Sequence, residues 1–543
     1  MKTLKTISIA ALALMMAACS SDNDMQQPVQ QPQGTKYFTA TIAAPNSSDI
    51  TRTTYTENGS GGIDVAWKVG DEVAFIYDGV KDVLEVTAVD DVTGAATIEG
   101  AITSNPANNE LVEMYYPAAF VSGMTGYLPD LDYSKWETQD GTLAYIQNNL
   151  DVRMATPYVT VSGSTISLKE NAAFNSQAAI WKLTLTTDGT TPLAATEVKV
   201  KVGSTIVAAA TSASAKSEYC IGLIPLHMGT GKLTIEATAG YNIYRYEKAD
   251  GVSLANNKLY QSTLTMTQVG VDLSRLDENY TAPNGMILTG TLSGNYKVSI
   301  ANDATVTLDN ATINAGTNSW HGITCVGNAT IKLSGTNTVT ASAENYSGIF
   351  VPKDYTLTIE GTGALTARAN DHGTGIGSGS YSGKDGGNII INSGTITAQG
   401  RSGAGIGSGT YASCGDITIN GGTINALGYY GAGIGSCYGS TCGDILITGG
   451  TIDASGYNTG YVGWAAGIGG ANSNGCGSIT ITNGVTRVTA TRSYNATYCI
   501  GKGYDGGSGV VTIGGTVYYD GTNWTSTELE NSLKAASFTY QPS

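Results

Sequence analysis

Two aspartates, Asp416 and Asp444, stand at the same place in consecutive copies of a repeated segment, each just after a Cys-Gly pair. Carboxylates stacked one copy apart suit two kinds of chemistry. A pair held roughly 5–9 Å apart can cleave a glycosidic bond. The same pair can also ligate a hard cation such as calcium. Asn388 and Ser478 share the column, however. A corner filled by Asn, Asp, Asp and Ser is more simply an Asx-type cap on backbone N–H groups. A second column holds Asp371, Arg401 and Tyr429, with His372 beside Asp371; no Ser or Cys nucleophile pattern accompanies that histidine. From Asp371 to Gly515 there are six Asp, no Glu and five Lys or Arg (Lys384, Arg401, Arg487, Arg492 and Lys502). That is thin provision for a catalytic groove, so the expectation is no enzyme, with a polysaccharide lyase or hydrolase as the alternative.

Aromatic columns are the stronger lead. Tyr381, Tyr411, Tyr438 and Tyr504 make one ridge, the last two shifted by one position. Tyr429, Tyr430, Tyr457, Tyr461 and Trp464 make another. Exposed rings can stack on the apolar faces of sugars while neighbouring Asn, Ser and Asp bond the hydroxyls. Alternatively, the rings stack on one another and brace the fold. The candidate glycan-binding residues are therefore Tyr381, Tyr411, Tyr438, Tyr504, Tyr429, Tyr430 and Trp464, and the candidate metal ligands are Asp416 and Asp444.

The elements that position these residues repeat. Ile389–Asp416 reads IIINSGTITAQGRSGAGIGSGTYASCGD, and Ile417–Asp444 reads ITINGGTINALGYYGAGIGSCYGSTCGD. Further copies begin at Ile445 and Ile479. Such periods mark stacked repeats, in which one turn cannot bury its apolar face alone. Each copy holds a strand such as ITIN, a second such as GTINALG, and a GAGIG piece that aligns Ile376, Ile406, Ile434, Ile468 and Ile500. Forty of the 71 glycines lie between Gly373 and Gly515, where tight corners need them. Three strands per turn, like above like at about 4.8 Å, predicts a right-handed parallel β-helix over 297–520. Its degenerate early coils carry HGITCVG and SGIFVPK in place of GAGIG. Beyond it, 521–543 reads as a cap; STELENSLKAA from Ser526 suggests a capping-box helix start.

The chain opens with Lys2 and Lys5, an apolar run Ile7–Met16 and the small-residue site Ala17-Ala18-Cys19. That is a secretory signal over 1–19, too short to span a bilayer. It resembles a bacterial lipobox, which implies lipidation at Cys19. The following SSDND resembles the export tag of surface lipoproteins in the Bacteroides group, implying a lipid-anchored place on the outer membrane, exposed at the cell surface. Residues 20–35, rich in Gln and Pro, read as a linker. With net charge −16 and only 28 Lys and Arg, nucleic acid is excluded as a partner. Of eight cysteines, Cys414, Cys442 and Cys476 share a column and read as a buried thiol ladder, with pairing as the alternative.

Residues 36–268 differ in texture. Short runs such as Tyr37–Ile42, Val73–Tyr77, Trp181–Thr186 and Glu197–Val202, punctuated by Gly, Asn and Asp, predict an antiparallel β-sandwich, one elaborate or two in tandem. A short helix fits only Thr142–Met154. The motifs Thr51-Arg52-Thr53, Val65–Val73 (VAWKVGDEV), Met114–Ala118 (MYYPA), Phe174–Leu183 and Lys258-Leu259-Tyr260 come in an order that resembles the fimbrillin family. The resemblance implies pilus subunits or adhesins, proteolytic processing at Arg52, and strand exchange with neighbouring subunits. The repeats GAGIGSG and GDITINGGT resemble calcium-binding carbohydrate-binding domains related in fold to pectate lyases, which implies a polysaccharide partner and calcium. Residues 269–296 read as the joint. The whole is expected to be all-β, a surface adhesin whose β-helix binds glycan, with a structural pilus spacer as a further alternative.

Overall fold

The computed structural model describes residues 36–44, 53–57, 63–65, 67–256, 258–292, 295–315, 318–341, 343–381, 383–457, 464–473, 475–505 and 507–542. Cys19 and Arg52 lie outside them. The described chain is all-β apart from the helices Leu143–Asn149 and Thr527–Lys534 and short 3-10 turns. Among the described residues no helix is long and apolar enough to cross a membrane.

The chain divides into two compact units. The first takes the described residues of Met1–Pro45, Trp67–Leu131 and Met154–Phe174. Its strands run in the order Val159–Ser162, Thr165–Leu168, Lys36–Ile42, Ala96–Ile102, Val80–Val89, Glu72–Tyr77, Glu113–Tyr116. Lys36–Ile42 lies antiparallel to Ala96–Ile102 and parallel to Thr165–Leu168. Phe38, Ile42, Phe75, Leu84 and Ile98 fill its core beside Trp67. The VAWKVGDEV motif acts locally: Asp71 accepts from the Lys68 N–H at 2.9 Å and from the Tyr116 hydroxyl at 3.0 Å. This fastens the turn to a neighbouring strand while the Trp67 ring packs edge-on against Tyr116 and Phe174.

The second unit contains a separate core, so the apolar residues of 36–268 do not share one interior. Ala179–Thr186 pairs antiparallel with Glu218–Leu223 and parallel with Leu259–Thr265. The antiparallel strands Ala195–Val202, Thr205–Lys216, Leu233–Ala239 and Asn242–Lys248 form the other layer. Trp181, Leu183, Val198, Ile221 and Ile235 meet between them.

From Thr267–Asp272 onward the pairing turns parallel, already inside the stretch read as a joint. Three ladders follow. The first joins Ala329–Ser334, Thr356–Gly361, Asn388–Ile391, Ile417–Ile419, Ile445–Ile447, Ile479–Ile481 and Val511–Ile513. The second runs through Thr336–Ala341, Ala364–Ala369, Thr395–Gly400, Thr423–Gly428, Gly450–Gly456 and Val485–Thr491. The third links Val298–Ile300 to Ile323–Cys325, Ile349–Phe350 and the GIG pieces as far as Ile500–Gly501. Pairing is residue for residue at the repeat offset: Ile389 on Ile417 on Ile445 on Ile479. The column Ile323, Ile349, Ile376, Ile406, Ile434, Ile468, Ile500 is wholly buried. Each such side chain contributes about 1.5–3 kcal/mol of burial.

The C-terminal end is closed. Thr516–Tyr519 and Ser537–Tyr540 pair antiparallel with Val511–Ile513 and Val485–Thr491. Leu533 of the last helix is buried against the stack, and its carbonyl accepts from the Cys499 N–H at 2.8 Å. Exposed strand edges invite pairing with other chains, and this covers them. Ser526 caps that helix by accepting from the Leu529 N–H. The third residue on is therefore Leu529, so the expected capping box lacks its reciprocal Glu and is a plain N-cap.

The GIG corner sets the tolerance of the stack. Gly435 sits at φ +135°, and a Cβ there would stand 2.1 Å from the Gly469 carbonyl oxygen. Gly435→Ala is therefore expected to cost about 3 kcal/mol, whereas Gly507→Ala, with open space around its Cβ, changes stability by about 0.5 kcal/mol or less. Urea unfolding of the two variants checks the contrast.

Candidate functional site

The columns read from sequence become lateral neighbours here. Tyr381 and Tyr411 lie 5.7 Å apart between ring centroids, and Tyr411 meets Tyr438 edge-on at 5.3 Å. Their rings are 39–50% exposed, so they cover one another only in part. Hydrogen bonding to Tyr438 raises the Tyr411 phenol above its ordinary pKa. Tyr504 is exposed and, among the described residues, its ring joins no aromatic pair; its backbone N–H donates to the Trp464 carbonyl. The first ridge is therefore a row of three, with Tyr504 apart.

Tyr381 and Tyr411 have φ of +66° and +57°, a left-handed conformation uncommon outside glycine. The position is the fifth after the column isoleucine, and in the next two repeats it is Gly439 (φ +65°) and Ser473 (φ +77°). The corner geometry is thus common to all four repeats, and two of them place a bulky ring there at a cost of about 1–2 kcal/mol each. Where glycine takes the corner, the tyrosine moves back to Tyr438. The Tyr411 ring then lies across the bare Gly439, where a Cβ would be 2.5 Å from its Cδ1.

The second ridge adjoins the first. Tyr429 and Tyr457 pack edge-on at 5.5 Å; Tyr461 lies outside the described residues. Two depressions open beside them. One, of about 780 Å³, is lined by Asp371, His372, Tyr430, Tyr438, Trp464 and Asn472, among others. The other, of about 550 Å³, is lined by Arg368, Asn370, Gln399, Arg401, Tyr429 and Tyr430. Arg401 and Tyr430 border both, so the two depressions adjoin and are taken together as the groove. Volumes of this size suit a small-ligand site. His372 is partly buried, with Nε2 3.6 Å from both Glu344 Oε1 and Asp371 Oδ1, and its ring stands edge-on to Tyr381 at 6.1 Å.

Asp416 and Asp444 do something else. The Asp416 N–H donates to Asn388 Oδ1, the Asp444 N–H to Asp416 Oδ1, and the Ser478 N–H to Asp444 Oδ1, at 2.7–2.8 Å. Each side chain caps the equivalent backbone of the next repeat. The preceding glycine makes room: a Cβ on Gly443 would stand 2.1 Å from Asp416 Oδ1. Among the described residues no group of three metal-ligating side chains converges. Asp416 and Asp444 thus serve as backbone caps through Oδ1.

Cys414, Cys442 and Cys476 are buried free thiols, and hydrogen bonding within the column, together with burial, holds the Cys442 thiol well above its ordinary range. Sequence reasoning missed the groove's Arg368, Asn370, Gln399 and Asn472. Arg368 comes from a degenerate repeat, and only the register Arg368 on Gln399 reveals its neighbours.

No family model matches the chain, and no curated protein matches it. Among solved structures it is similar to a fimbrial protein from Bacteroides ovatus (13% identity, 42% of this chain and 48% of that one, TM-score 0.24). It is also similar to the TIE protein of Bacillus anthracis (14%, 46% and 38%, TM-score 0.15) and to a fimbrial assembly protein from Parabacteroides distasonis (10%, 42% and 90%, TM-score 0.25). The match spans less than half the length of the first two.

Two outcomes separate support from display. Asp416→Asn, which repeats Asn388 of the same column, leaves stability unchanged, whereas Asp416→Ala strands the Asp444 N–H and costs about 1–2 kcal/mol. Tyr411→Gly relieves the left-handed strain while losing two half-exposed ring contacts of about 0.5–1.5 kcal/mol each. Its net effect on stability is about 1 kcal/mol or less. A loss of about 3 kcal/mol in urea unfolding would instead make the tyrosine row a brace.

Proposed function

We propose that this chain is a non-catalytic adhesin that binds glycan in the groove of its C-terminal stack. One observation carries the reading. Rings from two separately identified columns, Tyr438 from one and Tyr430 and Trp464 from the other, border a single depression whose lining also includes polar Asp371, Ser402, Thr410 and Asn472. Rings offer a face to the apolar side of a sugar, and the polar groups answer its hydroxyls. The left-handed Tyr381 and Tyr411 extend the row of rings away from that depression. In this reading the three ladders wind as a right-handed parallel β-helix, and the commitment of Asp416 and Asp444 to backbone caps argues against a lyase or hydrolase.

The lipobox at Cys19 and the fimbrillin-type motifs support an outer-membrane, lipid-anchored protein associated with pili. Lys36–Ile42 is held between two other strands. A cut at Arg52 would sever it from the rest of the chain, and its departure would open a slot for a neighbouring subunit's strand. A spacer role in a pilus would need the stack but not its groove.

A glycan array probed with the chain from residue 20 tests the reading. Binding is expected, weakened about three- to tenfold by Tyr430→Ala and by Trp464→Ala. An array with no binder, with and without calcium, would overturn the glycan reading and leave the spacer.

A further inference from the structure

The smaller depression holds two guanidinium groups and no carboxylate. Arg368 projects from Ala364–Ala369 and stands in register with Gln399. Arg401 follows Thr395–Gly400, and its Nη1 donates to the Asn370 carbonyl at 3.3 Å. Both arginines are exposed.

Arg401 spends one N–H on that backbone carbonyl, and neither arginine is set against a carboxylate. In this chain of 44 Asp and Glu against 28 Lys and Arg, some basic side chains do find carboxylates. Arg245 bonds Glu236, Arg275 bonds Glu197, and Lys332 bonds Glu360. Elsewhere on the stack, Arg492 is spent on backbone carbonyls and Lys384 lies over the Tyr346 ring. Among the described residues neither Arg368 nor Arg401 has an ion pair. Two guanidinium forks without an ion pair, one repeat apart beside Tyr430, therefore line this depression, while the carboxylate of Asp371 borders the adjoining one.

Donor number narrows the ligand. A carboxylate has two oxygens with about four acceptor sites, of which one bidentate guanidinium fills two. Two guanidinium groups and the Gln399 amide offer more donors than a carboxylate accepts. A sulfate ester presents three terminal oxygens. Resting on the glycan reading of the groove, we propose that Arg368 and Arg401 form a subsite for a sulfate group on a sugar whose ring lies against Tyr430.

The test measures binding of the chain from residue 20 to chondroitin sulfate, unsulfated chondroitin and dextran, with Arg368→Gln and Arg401→Gln singly and together. Chondroitin sulfate is expected to bind best, to weaken with added salt, and to lose about tenfold or more in affinity per arginine removed. Unsulfated chondroitin and dextran should not respond to either substitution. Both arginines are exposed, so the variants should melt with the parent. Equal, arginine-dependent binding of chondroitin with and without sulfate would make the uronate carboxylate the recognised group and overturn the sulfate subsite. Chondroitin sulfate binding that survives the double substitution undiminished would remove the anionic subsite while leaving glycan binding intact. If none of the three binds while the array has other binders, the sulfate subsite alone falls; if the array is also empty, the groove reading falls with it.

Discussion

The stack depends on how closely one repeat's backbone must approach the next at its corners. A parallel ladder fixes strand separation at about 4.8 Å, and a corner that turns between ladders leaves no depth for a side chain pointing along the stack. At Gly407, Gly435 and Gly469 a Cβ would fall 2.0–2.1 Å from the carbonyl oxygen of the following repeat. Glycine there is a packing requirement before it is a conformational one. The same constraint shapes the Cys-Gly-Asp corner, where the bare glycine lets the preceding repeat's carboxylate reach the backbone N–H beyond it.

Once the corners are fixed, the side chains sort by direction. Inward positions carry the isoleucine column and the free thiols, both wholly or nearly buried. Polar atoms that must stay inside are matched: Ser408 Oγ and Ser440 Oγ lie 2.6 Å apart, and Ser378 Oγ bonds the Gly379 and Ala412 carbonyls. Outward positions are released from packing, and their chemistry varies between repeats. That release lets tyrosine stand in a left-handed corner that glycine fills in the next repeat. Two strained rings in equivalent places point to selection on what the rings present outward, since the corner itself is cheaper with glycine.

Much of this was legible because a repeat converts sequence distance into lateral order. The isoleucine column and the strand pieces ITIN and GTINALG pair as their alignment predicts, and the thiol column is buried and free. Strand runs in the first part were visible as well, as with Tyr37–Ile42 inside Lys36–Ile42. The partition of the chain was not. The described residues of Asn46–Ala66, and Asp132–Arg153, belong with the second unit although the segments around them belong to the first. No local pattern marks such an exchange, because both sets of strands alternate apolar and polar residues alike. The direction of the Asx cap was also hidden: an isolated turn would take the carboxylate within its own repeat, and only stacking offers it the next one.

The groove was hidden for a related reason. Identical repeats place like over like and make a surface of low ridges, with furrows no deeper than a side chain. Concavity needs repeats that differ. The starts at Ile389, Ile417 and Ile445 are evenly spaced, but the interval from Ile445 to Ile479 is longer, and the added residues come just before Trp464. Trp464 borders the larger depression, while Arg368, from a repeat too degenerate to align by motif, borders the smaller. Each depression therefore takes a lining residue from where the pattern breaks. The regular repeats contribute Tyr430 and Arg401 to both depressions, and the departures from regularity contribute Arg368 to one and Trp464 to the other. Residues that interrupt a repeat, rather than those that define it, are where recognition on this scaffold should be sought.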